Sequence, residues 1–124
     1  MKLLTHNMLT SKCIKGVSVG YPLAIKASDV RICEVDFNPD FVSRIIPKVD
    51  WPVLYNAAES IGQVEDLPKE LSENYENDHN FLKKAHRVLL EVDVIDGELV
   101  CPESGRKFPI SNGIPNMLLN EDEI

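Results

Sequence analysis

A short stretch near the C-terminus carries the residues best suited to metal chemistry. Cys101 and Ser104 are separated by two residues and followed by Gly105, the spacing of a zinc knuckle in which a hydroxyl replaces the second thiolate. Zinc needs about four ligands, and a neutral serine hydroxyl is a poor one. Cys13, Cys101 and one histidine would supply three ligands without knuckle spacing. We therefore expect no bound metal and a turn held by hydrogen bonds.

The other nucleophilic and titratable residues form no catalytic motif. The histidines lie on different predicted elements: His6, His79 and His86. The sequence also contains no glycine-rich phosphate loop and no nucleophile elbow. We expect His79 and His86 to be solvated, His6 to be exposed or at an interface, and Cys33 to be a small buried hydrophobe. A Cys–His pair built on Cys101 or Cys33 stays open, because spatial neighbours are not visible in a sequence.

The charge of the chain bears on its partners. Its 124 residues include 20 acidic and 13 basic side chains, for a net charge of −7. A phosphate backbone attracts basic surfaces, so we expect a partner to carry most of any RNA binding. The apolar runs are too short to span a membrane, and the N-terminus lacks the pattern of a signal peptide. We expect an intracellular protein with reduced cysteines.

Hydrophobic periodicity predicts the elements that position these residues. Residues 2–7 predict a first strand, and residues 10–21 predict a loop. Residues 23–34 predict two extended pieces rather than one strand, because Ser28 and Asp29 interrupt the apolar pattern.

Three helices are predicted in the middle of the chain. Asn38 followed by a proline, and then Asp50, are typical helix N-caps, and the third helix is predicted to start near Asn77 and Asp78. Apolar residues follow each start at helical spacing. Residues 62–77, between the second and third helices, are polar and acidic and predict a surface loop.

Asp96 and Gly97 predict a two-residue hairpin turn, since Asp-Gly suits the positive φ angles of a type I′ turn. Pairing outward from this turn places Val92 opposite Cys101 and sets the register. Cys101 is then expected to face the core in part.

The order of elements predicts an α+β fold. Residues 106–111 and 114–119 add the last two strands, and an Asn-Gly turn at residues 112–113 separates them. The whole is a small, zinc-ribbon-like antiparallel sheet built from both chain ends, with an inserted three-helix lobe. We predict a sheet domain of residues 1–35 and 90–124, with a degenerate metal site, and a helical insert of residues 36–89.

The closing segment, residues 114–119, is the main candidate for a binding surface. It is apolar, and Pro115 lacks an N–H and so favours an edge strand or a strand start. Two interpretations stay open. The segment packs on its own sheet, or a second protein extends it by β-augmentation with Met117 as an anchor.

Four segments together resemble one known family. They are Met-Lys-Leu-Leu-Thr-His-Asn-Met-Leu at residues 1–9, Phe-Asn-Pro-Asp-Phe at 37–41, Val-Asp-Trp at 49–51 and Gly-Ile-Pro-Asn-Met-Leu-Leu at 113–119. In this order they are similar to the eukaryotic multifunctional methyltransferase subunit family. Its members are small activators shared by several tRNA, ribosomal-RNA and release-factor methyltransferases.

The resemblance implies a non-catalytic chain that forms heterodimers with several Rossmann-like methyltransferases. It implies that the chain covers a hydrophobic surface of the enzyme and extends the enzyme's sheet in a β-zipper. S-adenosylmethionine is then bound by the partner, and RNA is reached only through the partner. No membrane or small-molecule ligand is implied, and the expected locations are the cytoplasm and the nucleus.

The resemblance also implies an interface. It maps onto Leu4, Thr5, Asn7, Met8, Phe108, Pro109, Ile110, Ile114, Pro115, Asn116, Met117, Leu118 and Leu119. The zinc-binding members carry cysteines near the positions of Ser11, Gly16, Cys101 and Ser104. This chain keeps only Cys101 of that set, so the resemblance implies a metazoan-like form without the metal.

Two other functions are alternatives. A degenerate zinc-ribbon module could bind RNA directly, but it would need a basic stripe with stacking aromatics. A small thiol enzyme would use Cys101 or Cys13.

Overall fold

The computed structural model describes residues 1–64, 67–71 and 73–123. Part of the predicted 62–77 loop, namely residues 65, 66 and 72, lies outside the described residues. The sheet is antiparallel with four strands in the order β1-β2-β3-β4. Their bounds are β1 Ala24–Ile32, β2 Val92–Val100, β3 Lys107–Ser111 and β4 Ile114–Pro115. The predicted α+β fold, with a sheet drawn from both ends of the chain, is confirmed.

The described residues also form four α-helices. They are α1 Leu3–Met8, α2 Pro39–Ile45, α3 Trp51–Ser60 and α4 His79–His86. Short 3₁₀ turns lie at Ile46–Lys48, Tyr75–Asn77 and Glu121–Glu123, and a π-helical turn, Arg87–Glu91, joins α4 to β2.

The three predicted helix starts are confirmed, including the predicted N-caps Asn38 and Asp50. The side-chain oxygens of Asn38, Asp50 and Asp78 each accept a hydrogen bond from the main-chain N–H three residues later, at 3.1–3.4 Å. Such caps satisfy N–H groups that the helix itself leaves unpaired. These starts are local in sequence, which is why the sequence predicts them.

The first predicted strand is wrong, because the segment forms helix α1. Leu3, His6 and Asn7 are buried together, and their i, i+3, i+4 spacing is helical rather than alternating. Six residues are too few to separate the two periods by pattern alone. Lys2 alone keeps a strand-like contact, a β-bridge with Asp93.

The predicted break in residues 23–34 is also wrong. β1 is one strand of nine residues, although its register with β2 shifts between Ala27 and Asp29 and again between Asp29 and Val30. The polar pair at 28–29 therefore marks a bulge-like irregularity, which bends a strand without ending it.

The predicted hairpin turn at Asp96 and Gly97 is wrong as well, because strand β2 continues through both residues. Val92 lies opposite Ile32 of β1, not opposite Cys101. Gly97 lies opposite Ala27, and a Cβ atom built on it would be 2.2 Å from the carbonyl oxygen of Lys26. A glycine is therefore needed at this position so that the backbones of β1 and β2 can approach closely.

One hydrophobic core joins the helices to the sheet. It includes Leu3 of α1, Leu54 of α3, Leu82 of α4, and Leu99 and Phe108 of the sheet, all buried. These residues come from both predicted units, and the domain division stays a prediction. None of the helices in the described ranges is long and apolar enough to cross a membrane.

Candidate partner-binding surface

The closing segment begins at a tight turn and runs along the edge of the sheet. Asn112 and Gly113 have φ angles of 53° and 78°, so the predicted Asn-Gly turn is confirmed. Ile114 and Pro115 then pair with β3. The predicted strand 114–119 is shorter than expected, although the N–H of Asn116 still donates to the carbonyl of Pro109 at 2.9 Å.

Side chains of the closing segment alternate between the core and solvent. Met117 and Leu119 are partly buried and pack against the core, whereas Ile114 and Leu118 are 70% and 80% exposed. These are the two most exposed large hydrophobic side chains in the described chain. Two outward-facing apolar side chains on one uncharged segment make this segment a candidate interaction surface.

Helix α1 starts beside this turn. The main-chain nitrogen of Met1 lies 2.6 Å from Asp93 Oδ1, and the carbonyl of Met1 accepts the N–H of Val94 at 2.8 Å. The next residue of β2, Ile95, accepts the N–H of Gly113. The start of α1 and the turn before β4 therefore occupy adjacent positions along one edge of β2.

The structure divides the interface residues that the resemblance implies. Asn7, Phe108 and Ile110 are buried, so their side chains belong to the interior of this chain. Met8 is 50% exposed. The remaining residues are exposed or half-buried: Leu4, Thr5, Pro109, Ile114, Pro115, Asn116, Met117, Leu118 and Leu119. Their contact with a partner stays a prediction.

The two edges of the sheet differ in chemistry. β1 carries the charged residues Lys26, Asp29 and Arg31, together with its bulge, and both features protect an edge against pairing with another chain. The closing segment, residues 114–119, contains no charged residue. Charge therefore does not oppose a further strand at the β4 edge, although β4 itself has only two residues and includes Pro115.

The Cys101 turn is closed by hydrogen bonds to sulfur. The Ser11 hydroxyl donates to Cys101 Sγ at 3.0 Å, and the main-chain N–H of Ser104 donates at 3.3 Å. Burial raises the pKa of the thiol, but the bonds from Ser104 and Ser11 outweigh it and lower the pKa to about 7. Cys101 is buried, which agrees with the predicted core-facing position.

Glu103 makes a second connection that sequence reasoning missed. Its carboxylate accepts the main-chain N–H groups of Ser18, Val19 and Gly20 at 2.6–3.1 Å, and these bonds lower its pKa. The contact joins the 10–21 loop to the 101–105 turn. No local signal predicts it, because the partners lie more than 80 residues apart in the chain.

Two of the three histidine predictions are wrong. His6 and His86 are buried, whereas His79 is exposed as expected. His6 Nε2 donates to the carbonyl of Leu23 at 2.6 Å, and His86 Nε2 donates to that of Val35 at 2.8 Å. Each imidazole satisfies a main-chain carbonyl from within the fold.

Burial lowers the pKa of His6, although its bond to the Leu23 carbonyl opposes this effect. His6 also lines a cleft of about 270 Å³ with Leu23, Val53 and Ala57. Cys33 is exposed, so its predicted burial is wrong. In the described part of the chain, no group of three or more His, Cys, Asp or Glu residues is placed to hold a metal ion.

Comparison with known proteins identifies the family. The model of the Trm112p-like protein family matches residues 2–113. The chain belongs to the Trm112p-like family. Two proteins with similar sequences are a mouse multifunctional methyltransferase subunit TRM112-like protein, 59% identical over 124 residues, and Arabidopsis thaliana TRM112 homolog A, 52% identical over 126 residues. The alignments cover 99% and 100% of this chain and 98% and 100% of those proteins.

A solved structure supports the Trm112p-like fold. A chain in the structure of the E. cuniculi Mtq2–Trm112 complex, described as responsible for methylation of the translation termination factor eRF1, has a TM-score of 0.58. The match covers 95% of each chain at 21% sequence identity, a level at which it bears on the fold alone.

Proposed function

We propose that this chain is a non-catalytic subunit that activates and stabilises several S-adenosylmethionine-dependent methyltransferases as heterodimers. The observation that carries the proposal is the uncharged closing segment at a sheet edge, with Ile114 and Leu118 turned outward. The relatives are named multifunctional methyltransferase subunits. The similar chain comes from a complex with Mtq2.

The docking mode that we propose is β-augmentation. An enzyme strand would pair beside β4, and its main-chain groups would supply affinity while side-chain pockets supply specificity. Burying the side chains of Ile114 and Leu118 would contribute about 1.5–3 kcal/mol each. The two together are then worth roughly a 100-fold or greater gain in affinity, and the enzyme's own apolar surface would be covered at the same time.

The division of labour follows from charge. With a net charge of −7, this chain repels a phosphate backbone, so the partner would contact RNA. We propose that the partner also binds S-adenosylmethionine, as the family resemblance implies. The proposed substrates of these complexes are tRNA, ribosomal RNA and a translation release factor. The proposed locations of the heterodimers are the cytoplasm and the nucleus.

The test compares one substitution on the two sheet edges. A methyltransferase that co-purifies with the tagged chain from a cell lysate is titrated with Leu118→Glu and with the matched control Ile32→Glu, which lies on β1 and is 47% exposed. Leu118→Glu should weaken binding ~100-fold, because it loses apolar burial and brings a charge into the interface. Ile32→Glu should change binding less than about threefold.

Other outcomes overturn specific parts of the proposal. If Ile32→Glu weakens binding and Leu118→Glu does not, the enzyme docks on β1. If the tagged chain captures no methyltransferase and binds RNA alone, the direct RNA-binding module replaces the activator.

A further inference from the structure

The side chain of Asn7 is paired inside the chain. Its Nδ2 donates to the carbonyl of Asp50 at 3.0 Å, and its Oδ1 accepts the N–H of Asp50 at 2.9 Å. The amide therefore engages one residue through a donor and an acceptor at once, as neighbouring strands do. Asn7 is only 4% exposed, which leaves no side-chain surface for a partner.

Two further bonds extend this contact into a junction. Asp50 is the N-cap of α3, where its Oδ1 accepts the N–H of Val53. The Tyr21 hydroxyl donates to the main-chain carbonyl of Asn7 at 2.8 Å. Asn7 thus joins the end of α1 to the start of α3 and to the loop before β1.

The junction determines which face of α1 points outward. Six residues are too few for a helix that is stable on its own, so tertiary contacts must set the orientation of α1. Leu3 and Asn7, four residues apart, share the inward face. Thr5 and Met8, three residues apart, share the opposite face of the helix, and both are exposed.

We infer that Asn7 is a positioning residue for partner binding and not a contact residue. Its amide holds α1 on α3 so that Thr5 and Met8 are presented to the methyltransferase in a fixed orientation. Fixing a binding element in advance strengthens binding because less ordering is needed in the complex. The inference rests on the proposed function.

The variant Asn7→Asp isolates the donor. It keeps the size of the side chain and its acceptor oxygen, but at neutral pH its carboxylate faces the Asp50 carbonyl without a proton to donate. Protonation restores an O–H donor at the same place. Binding to a co-purified methyltransferase should be at least tenfold weaker than wild type at pH 7.5. The ratio of the two affinities should move towards one as the pH falls to 5.5, since burial raises a carboxyl pKa.

Two controls accompany this variant. Asn80→Asp makes the same chemical change on the exposed surface of α4 and should bind like wild type at both pH values. Tyr21→Phe removes only the hydroxyl that donates to Asn7, and it should weaken binding about threefold while the chain stays folded. Hydrogen exchange at the Leu9 amide, which bonds to the carbonyl of His6, should become faster in both junction variants.

The outcomes separate this inference from the proposed function. If wild type captures no methyltransferase, the proposed function fails. If wild type binds, and Asn7→Asp and Tyr21→Phe both bind within twofold of it at both pH values, the positioning role is overturned. If Asn7→Asp does not fold, Tyr21→Phe decides by the same criterion. An affinity loss for Asn7→Asp that does not change with pH also overturns the role assigned to the donor.

Discussion

Gly97→Ala tests whether residues 96–97 form a continuous strand or a hairpin turn, because the two conformations predict different losses in the free energy of unfolding. In the structure, Gly97 lies inside β2, opposite Ala27 of β1 and Ile110 of β3. An added Cβ would be 2.2 Å from the carbonyl oxygen of Lys26. A normal carbon–oxygen contact is about 3.3 Å, so the two backbones must separate by roughly 1 Å.

The expected cost follows from that separation. Moving β1 away from β2 weakens two or three ladder hydrogen bonds, each worth about 1 kcal/mol net. We expect Gly97→Ala to lower the free energy of unfolding by about 3 kcal/mol. Gly105→Ala is the matched control, because Gly105 has a φ of +76° but nothing within 4 Å of an added Cβ. Backbone strain alone should cost it about 1–2 kcal/mol.

Urea unfolding followed by tryptophan fluorescence measures both values, since Trp51 is the single tryptophan and is buried. A domain of this size is stable by about 5–15 kcal/mol, so both variants should fold well enough to be measured. The reasoning fails if Gly97→Ala costs no more than Gly105→Ala. That result would favour a hairpin turn at Asp96 and Gly97 over a continuous strand.

Two further predictions concern pH. Burial holds the pKa of His6 in the folded chain below its ordinary 6.5. The contribution of neutral His6 to the free energy of unfolding is therefore complete above pH 6.5. It is lost as the pH falls through the lower pKa of the folded state. Urea unfolding at pH 7, 6 and 5 should show this loss, and His6→Gln should reduce it; equal slopes would contradict the assignment. The pKa of Cys101 is about 7, below its ordinary 9.0, so wild type should gain stability between pH 7 and 9 while Cys101→Ala should not. If the two proteins have identical stability profiles over this pH range, the bonds from Ser11 and Ser104 do not lower the pKa of Cys101 in the folded chain.

The sequence predicts the three middle helices, α2, α3 and α4, well because their start signals are local. Asn38, Asp50 and Asp78 each bond to a main-chain N–H only three residues away, so propensity and geometry agree within one turn. The same holds for the Asn112-Gly113 turn, whose positive φ angles suit those residue types.

The wrong predictions share a different cause. Asp96 and Gly97 suit a turn locally, but β1 pairs along the whole of β2, and long-range pairing decides the conformation. His6 and His86 are polar by type, yet each has a main-chain carbonyl to satisfy, 17 and 51 residues away in sequence. Partners at such separations cannot be read from a periodicity.

The candidate surface shows where a family resemblance stops being informative. The resemblance marks Phe108, Ile110 and Ile114 alike, but β3 turns the first two inward and the β4 edge turns the third to solvent. One motif contains both core residues of the sheet and residues exposed at its edge. Only the alternation of side chains along each strand distinguishes the two groups. Asn7 is a further example: it lies on α1 between the exposed residues Thr5 and Met8, but its own side chain is bonded to Asp50 inside the chain. Its buried amide holds in place the helix that carries them. Loss of partner binding on mutating such a residue therefore does not locate the interface until the stability and the orientation of α1 have been measured.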